Sequence, residues 1–233
     1  MTIGFPLVDF GRMKVQDIEL PKYTLAQELW NSISHGLGTV FTLIAGPFMI
    51  LKVAKTENAL SIVAVSLFIL SLLMLYTISC LYHALGRNRG KKVLRVLDHD
   101  MVFVLIMGTY VPYTWIGLAD KQPWGWIVFG VVWAGCILGI VMNSINIKKY
   151  DKLSMAIYVV IGSAIIAAFY PLWGAIGWQG CTLLLLGGVM YWIGAVLYRI
   201  GGKKSPWWHT VFHFFVLAGT LFMFFSIFYY VIP

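Results

Sequence analysis

Apolar residues run through the chain in long blocks, and short polar segments separate them at near-regular intervals. Seven blocks are long enough for a helix to cross ~30 Å of hydrocarbon at ~1.5 Å per residue. They cover Thr24 to about Lys52, Leu60 to Leu85, Asp98 to Leu118, Trp124 to Asn143, Leu153 to Trp173, Trp178 to Tyr198, and Trp207 to Ile232. Thr24 and Gln27 have the spacing of a capping box, which sets the first helix start. Pro47 marks a point where that helix can kink. Ser205-Pro206 suits the start of the last helix, because Ser can cap and Pro fits the first helical position. The fifth and sixth blocks are separated only by Gly174 to Gly177. Trp and Tyr gather at block ends, as interface anchors do. The pattern predicts an all-α integral membrane protein. Residues 24–233 form one seven-helix transmembrane domain, and residues 1–23 a short cytoplasmic tail.

Composition removes the soluble alternative. Of 233 residues, 60% are hydrophobic and 11% charged, more apolar surface than a soluble domain can hide. The first twenty-odd residues lack an apolar core and a small-residue cleavage site, so no removable signal peptide is expected. Cys80, Cys136 and Cys181 lie unpaired in apolar runs and read as inert thiols, with Cys80 the one placed near other polar groups.

The net charge of +8 is a topological signal, and no nucleic-acid partner is implied. With the N-terminus inside, the inner segments hold Arg12, Lys14 and Lys22, then Arg87, Arg89, Lys91, Lys92 and Arg95. They also hold Lys148, Lys149 and Lys152, and Arg199, Lys203 and Lys204. Only Lys52, Lys55 and Lys121 fall outside. The bias places the N-terminus inside and the C-terminus outside, with the basic loops facing anionic headgroups. G-protein-coupled receptors and opsins have the opposite orientation, and the last block has no Lys to carry retinal.

The five histidines then share one depth. His83 lies four residues before Arg87, and His209 five residues after Lys204. Asp98, His99 and Asp100 follow Arg95, and His35 lies one or two turns into the first block. Four helices therefore place their histidines in one slab beneath the inner surface. Spans four to six carry almost nothing comparable. Each residue has a bland role open to it: Asp98 as a cap, His99 at the headgroups, Ser79 bonded to its own helix, Glu28 and Asn31 solvated. The convergence favours a shared metal. His209 and His213, at i and i+4, form a half-site on one helical face. Imidazoles with a carboxylate and an open position are a common plan for catalytic zinc.

The ordered motifs Glu28-x-x-Asn31-x-x-x-His35, Ser79-x-x-x-His83, Leu97-Asp98-His99 leading to Met107-Gly-Thr-Tyr-Val-Pro112, and His209-x-x-x-His213 resemble the hemolysin III family. That family is a bacterial branch related to the progestin and adipoQ receptors and, more distantly, to alkaline ceramidases. The resemblance spans residues 28 to 213. It implies zinc held by His83, His209 and His213, Asp98 acting through the metal-bound water, and Ser79 nearby. Glu28, Asn31, His35 and His99 would then support the site from outside the ligand set. The short tail before Thr24 and the end at Pro233 favour the bacterial branch over a hormone receptor, hence a bacterial cytoplasmic membrane.

Function is expected to be zinc-dependent hydrolysis of a lipid amide or ester, or lipid sensing on the same site, with membrane lipid as substrate or ligand. A cytolysin or channel is the second reading, although a pore needs a polar path across the whole bilayer. A signalling protein with a purely structural zinc is the third.

Overall fold

A computed structural model describes residues 11–201 and 204–233. The first ten residues of the expected tail, and Lys203 of the charge bias, lie outside the described residues. The described chain is a bundle of six α-helices, two of them broken within: α1 Leu25–Ala54, α2 Ala59–Ala84, α3 Arg89–Pro112, α4 Trp124–Gly162, α5 Phe169–Val196 and α6 Trp207–Ser226. Among the described residues, four helical stretches are long and apolar enough to cross a membrane: Leu25–Ala54, Ala59–Ala84, Trp124–Gly201 and Trp207–Val231. The protein is a membrane-embedded helical bundle.

Local chemistry explains most helix starts. The Thr24 capping box forms: the Gln27 N–H donates to Thr24 Oγ1 at 3.3 Å, and the Thr24 N–H to Gln27 Oε1 at 2.9 Å. Asn58 caps α2 by accepting from the Ser61 N–H at 3.1 Å, and Asn88 caps α3 by accepting from the Lys91 N–H at 2.9 Å. Such caps satisfy donors that the first turn leaves orphaned. Pro206 holds helical angles (φ −59°, ψ −20°) before α6, and the Ser205 hydroxyl accepts from the Trp207 N–H at 3.4 Å.

Two expected boundaries become breaks inside longer helices. The fourth and fifth blocks join in α4, whose backbone leaves helical geometry at Asn146 (φ −159°, ψ 92°). Asn146 also restarts the helix, accepting from the Lys149 N–H at 2.9 Å. A 3-10 turn, Ala164–Ala168, leads into α5. The fifth and sixth blocks join in α5, which breaks at Gly177 (φ +70°), inside the segment expected to separate them.

One expected boundary is corrected. The third helix does not begin near Asp98: it begins at Arg89, about two and a half turns earlier, because Asn88 provides the cap. Asp98 is therefore not a capping residue but an interior position of α3, buried at 9% exposure. Lys91, counted with the basic loop, is likewise inside α3 and buried.

Small residues let α1, α2 and α3 approach closely, as membrane helices commonly do. A Cβ on Gly108 would lie 2.1 Å from Ser71 Oγ and 3.0 Å from the Leu67 carbonyl oxygen. Across the bundle, the Tyr76 hydroxyl on α2 donates to Thr220 Oγ1 on α6 at 2.6 Å. Lys52 at the end of α1 donates to the carbonyls of Phe228 and Ile232 at 2.6 and 2.8 Å, closing the far end.

At the opposite end, residues 11–23 lie across the helix ends. The carbonyls of Pro21 and Leu20 accept from the Arg87 guanidinium at 2.7 and 3.3 Å, and the Gln16 carbonyl accepts from Lys92. Lys148 pairs with Glu19 at 2.7 Å and holds that carboxyl below the usual carboxylate range. Within this segment Ile18 is buried, at 5% exposure.

Candidate metal centre

His83 sits in the last turn of α2, and His209 and His213 in the first two turns of α6. All three are buried. Their Nε2 atoms converge: His209 to His83 is 3.2 Å and His213 to His209 is 3.1 Å. Two nitrogens each ~2.0–2.1 Å from one tetrahedral zinc lie about 3.3 Å apart, so the spacing suits one shared ion. Among the described residues these three form the one group of His, Cys, Asp or Glu that can hold a metal ion.

The surroundings decide where each ring carries its proton. His83 Nδ1 lies 2.8 Å from Glu28 Oε2. The carboxylate only accepts, so Nδ1 is the donor, and in the neutral ring Nε2 then presents a lone pair. The Asn31 amide nitrogen lies farther from the same Nδ1, at 3.5 Å, so the shorter carboxylate contact decides where the proton sits. His213 Nδ1 faces the Asn31 carbonyl oxygen at 3.2 Å and Ser34 Oγ at 3.1 Å. The Ser34 hydroxyl donates its own proton to that carbonyl at 2.9 Å, so His213 Nδ1 also donates. Two bare Nε2 atoms therefore flank the Nε2 of His209, whose Nδ1 has no partner among the described residues. A neutral His209 can offer one proton to one of them. Lone pairs left facing each other in a buried pocket are costly, and a divalent cation satisfies all three.

The remaining predicted residues are placed around this centre. Asn31 is fully buried, and its Oδ1 accepts from the Thr210 hydroxyl at 2.5 Å, tying α1 to α6 between the histidines. Glu28 bridges His83 and Lys91, so it is not a solvated first-turn residue. His35 stacks on His213 with ring centroids 3.7 Å apart, and neither of its nitrogens has a partner among the described residues. Ser79 Oγ is buried without a partner among them, so it does not bond back to its own helix.

His35, Ser79, Asp98, His99, His209 and His213 line one end of a cavity of about 160 Å³. Asp98 makes no hydrogen bond to the described residues and opens onto that space. The His99 carbonyl accepts from the Tyr158 hydroxyl at 2.8 Å, and His99 borders the cavity without being one of the three clustered ligands. The rest of the lining is mostly apolar, including Leu105, Ile106, Val159, Phe212 and Val216, with Thr109, Tyr110, Tyr158, Tyr191 and Tyr198 among it. Along α6 it extends from His209 to Met223, about 21 Å at ~1.5 Å per residue. A family model described as Haemolysin-III related matches residues 23–224.

The chain belongs to the hemolysin III family. It is similar to Hemolysin-3 of Bacillus cereus, 33% identical over 207 residues that cover 89% of this chain and 93% of that protein. It is also similar to the Hemolysin-3 homolog of Bacillus subtilis (strain 168), 35% identical over 208 residues that cover 89% of this chain and 96% of the relative. Every residue of the candidate centre lies inside the matched region.

Two neighbours of the site in this hemolysin III chain escape a reading of the sequence. Tyr23, just ahead of the capping box, stacks on His209 with centroids 5.4 Å apart and lies 5.8 Å from His83. Its only signal is its place beside Thr24. Lys91 reaches Glu28 at 2.6 Å from a turn dense in basic residues, where nothing distinguishes it from Arg89 or Lys92.

Proposed function

We propose that this hemolysin III protein is a zinc-dependent hydrolase of a bacterial cytoplasmic membrane that cleaves an amide or ester bond of a membrane lipid. The observation that carries this reading is the joining of the histidine centre, Asp98 and Ser79 to one long apolar cavity. A structural zinc site needs no such cavity. A lipid substrate does: its acyl chain fills the apolar length and its carbonyl reaches the polar end.

His83, His209 and His213 would hold the zinc. When bound, zinc supplies Lewis acidity, polarising a carbonyl and lowering the pKa of water. Asp98 is placed to accept a proton from water in the cavity, and Ser79 to donate to the carbonyl oxygen as charge develops there. Glu28 and Asn31 hold the rings of His83 and His213 in register from behind. A pore is the weaker reading, since the ionisable groups around the centre sit at one end of the bundle.

The same proposal fixes topology. The three pieces of the 78-residue stretch divided at Asn146 and Gly177, counted with α1, α2, α3 and α6, give seven crossings. In this reading the centre lies beneath the inner leaflet, on the side richer in basic residues. A reporter fused after Pro233 should be active only outside, and one inserted between Gly86 and Asn88 only inside. The reverse pattern would move the site to the outer leaflet.

Release of free fatty acid from a panel of amide- and ester-linked lipids, by zinc-replete protein in bilayers, tests the hydrolase directly. Gly162 and Gly188 border the cavity, and a Cβ on either meets no atom within 4 Å. Gly188→Trp therefore adds its bulk at the cavity wall from a position where the first added carbon meets no neighbour. It should cut release by about tenfold or more while zinc content stays at the parent level, since a misplaced substrate loses its near-attack geometry. Undiminished release from this variant would remove the cavity from the mechanism.

A further inference from the structure

Lys91 occupies a position that a lysine should avoid. It lies in the first turn of α3, where the helix dipole disfavours a cation. Its side chain turns inward and is 3% exposed, although the aqueous end of the bundle is within reach of so long a side chain. Burying an ammonium is costly unless every donor is paired. Here all three are. Nζ donates to Glu28 Oε1 at 2.6 Å, to the Leu85 carbonyl at 2.9 Å and to the His83 carbonyl at 3.5 Å. It also sits 5.1 Å from the centroid of the Tyr82 ring. Leu85 and His83 lie at the C-terminal end of α2, where a cation is favoured. One ammonium thus joins the start of α1, the end of α2 and the start of α3.

The consequence falls on Glu28. Its two oxygens are divided: Oε1 takes Lys91, and Oε2 takes the Nδ1 proton of His83. The Glu28 side chain is 17% exposed, so without a partner on Oε1 the carboxylate is free to turn toward water. The geometry points to Lys91 as a positioning residue for the metal centre. By pinning Glu28 it keeps the His83 proton on Nδ1 and the Nε2 lone pair aimed at His209 and His213. Lys91 touches neither the clustered nitrogens nor the cavity wall.

This inference rests on the metal-binding reading above, and its test separates the two. Zinc affinity is measured by chelator competition on the full chain in bilayers, for the parent, Lys91→Met, Lys91→Arg, Glu28→Gln and the Lys91→Met/Glu28→Gln pair. Lys91→Met should weaken zinc by about 10- to 100-fold, the usual effect of losing support behind a ligating histidine. Glu28→Gln should weaken it similarly, the pair no more than Glu28→Gln alone, and Lys91→Arg should recover most of the loss. A Lys91→Met protein that melts earlier when metal-free, yet binds zinc as tightly as the parent, would reduce Lys91 to a structural brace and overturn the inference. Nitrogen-15 spectra of the His83 ring in metal-free protein give a readout that needs no zinc. The parent should show Nδ1 protonated and Nε2 bare, and Glu28→Gln, which keeps the side-chain volume should Lys91→Met fail to fold, should show a mixture. A parent ring protonated on Nε2 overturns the inference. A parent that holds no zinc overturns the metal reading and leaves the ring pattern as the test of the Lys91–Glu28–His83 link.

Discussion

Protein carrying His209→Ala and His213→Ala is expected to purify without zinc, where the parent holds about one ion per chain. The two rings are successive members of one face of α6, and His209 is the middle of the three converging nitrogens. Removing both leaves His83 with no second ligand among the His, Cys, Asp and Glu side chains that cluster there. The stability readout follows by linkage. Zinc present at about 100 times its Kd adds about 2.7 kcal/mol to the folded parent, and a protein that cannot bind gains nothing. The parent should therefore melt at a higher temperature with zinc than without it, and the double variant at one temperature in both. His99→Ala should keep the ion, because its ring is not among the clustered nitrogens. Metal analysis and thermal melts in the presence and absence of zinc make the comparison. Full occupancy in the double variant would show that the ion sits elsewhere.

The fold was legible wherever a local signal and the hydrophobic pattern agreed. Thr24 and Gln27 announce the start of α1 because a capping box is a matter of residue type and spacing alone. The segment Gly174 to Gly177 contains the break in α5 because a backbone at φ +70° suits glycine. Asn88 was missed for a reason of the same kind. Its cap lies in a basic, polar stretch, so hydropathy delays the helix until Asp98, although the hydrogen-bonded turns have already begun at Arg89. Asn146 shows the converse, a break and a fresh cap inside what the backbone otherwise runs as one helix.

The site divides along similar lines. His83, His209 and His213 share a depth in the chain, and shared depth in a bundle becomes proximity, so their convergence could be foreseen. Lys91 and Tyr23 could not. Their roles depend on which way a side chain turns at a helix end, and that is settled by partners more than fifty residues away in sequence: Glu28 for Lys91, and the ring of His209 for Tyr23. A lysine drawn into a basic cluster by topology, and then buried by one carboxylate, leaves no periodicity to read.

Asp98→Asn is expected to retain zinc and lose lipid turnover. Asp98 lies on α3, opens onto the same cavity as His209 and His213, and takes no donor from the described residues. No hydrogen bond to the described residues accounts for this carboxylate at the cavity wall, so its place calls for a chemical reason. The amide of Asn fills the same volume and cannot accept a proton as a base does. Loss of one general base typically costs about 10²- to 10⁴-fold in rate, and release of fatty acid should fall by that range. Zinc content should hold, because Asp98 is not among the three clustered ligands. Ser79→Ala, which removes a single hydroxyl donor, should cost less than Asp98→Asn, and the comparison orders the two roles. The fall should appear in kcat at saturating lipid as well as in kcat/KM, since the lost interaction belongs to the transition state and not to the bound acyl chain. Turnover at the parent rate with Asn at position 98 would exclude Asp98 as the base. Turnover of no lipid by the zinc-loaded parent would leave His83, His209 and His213 as a brace that joins α2 to α6 without chemistry.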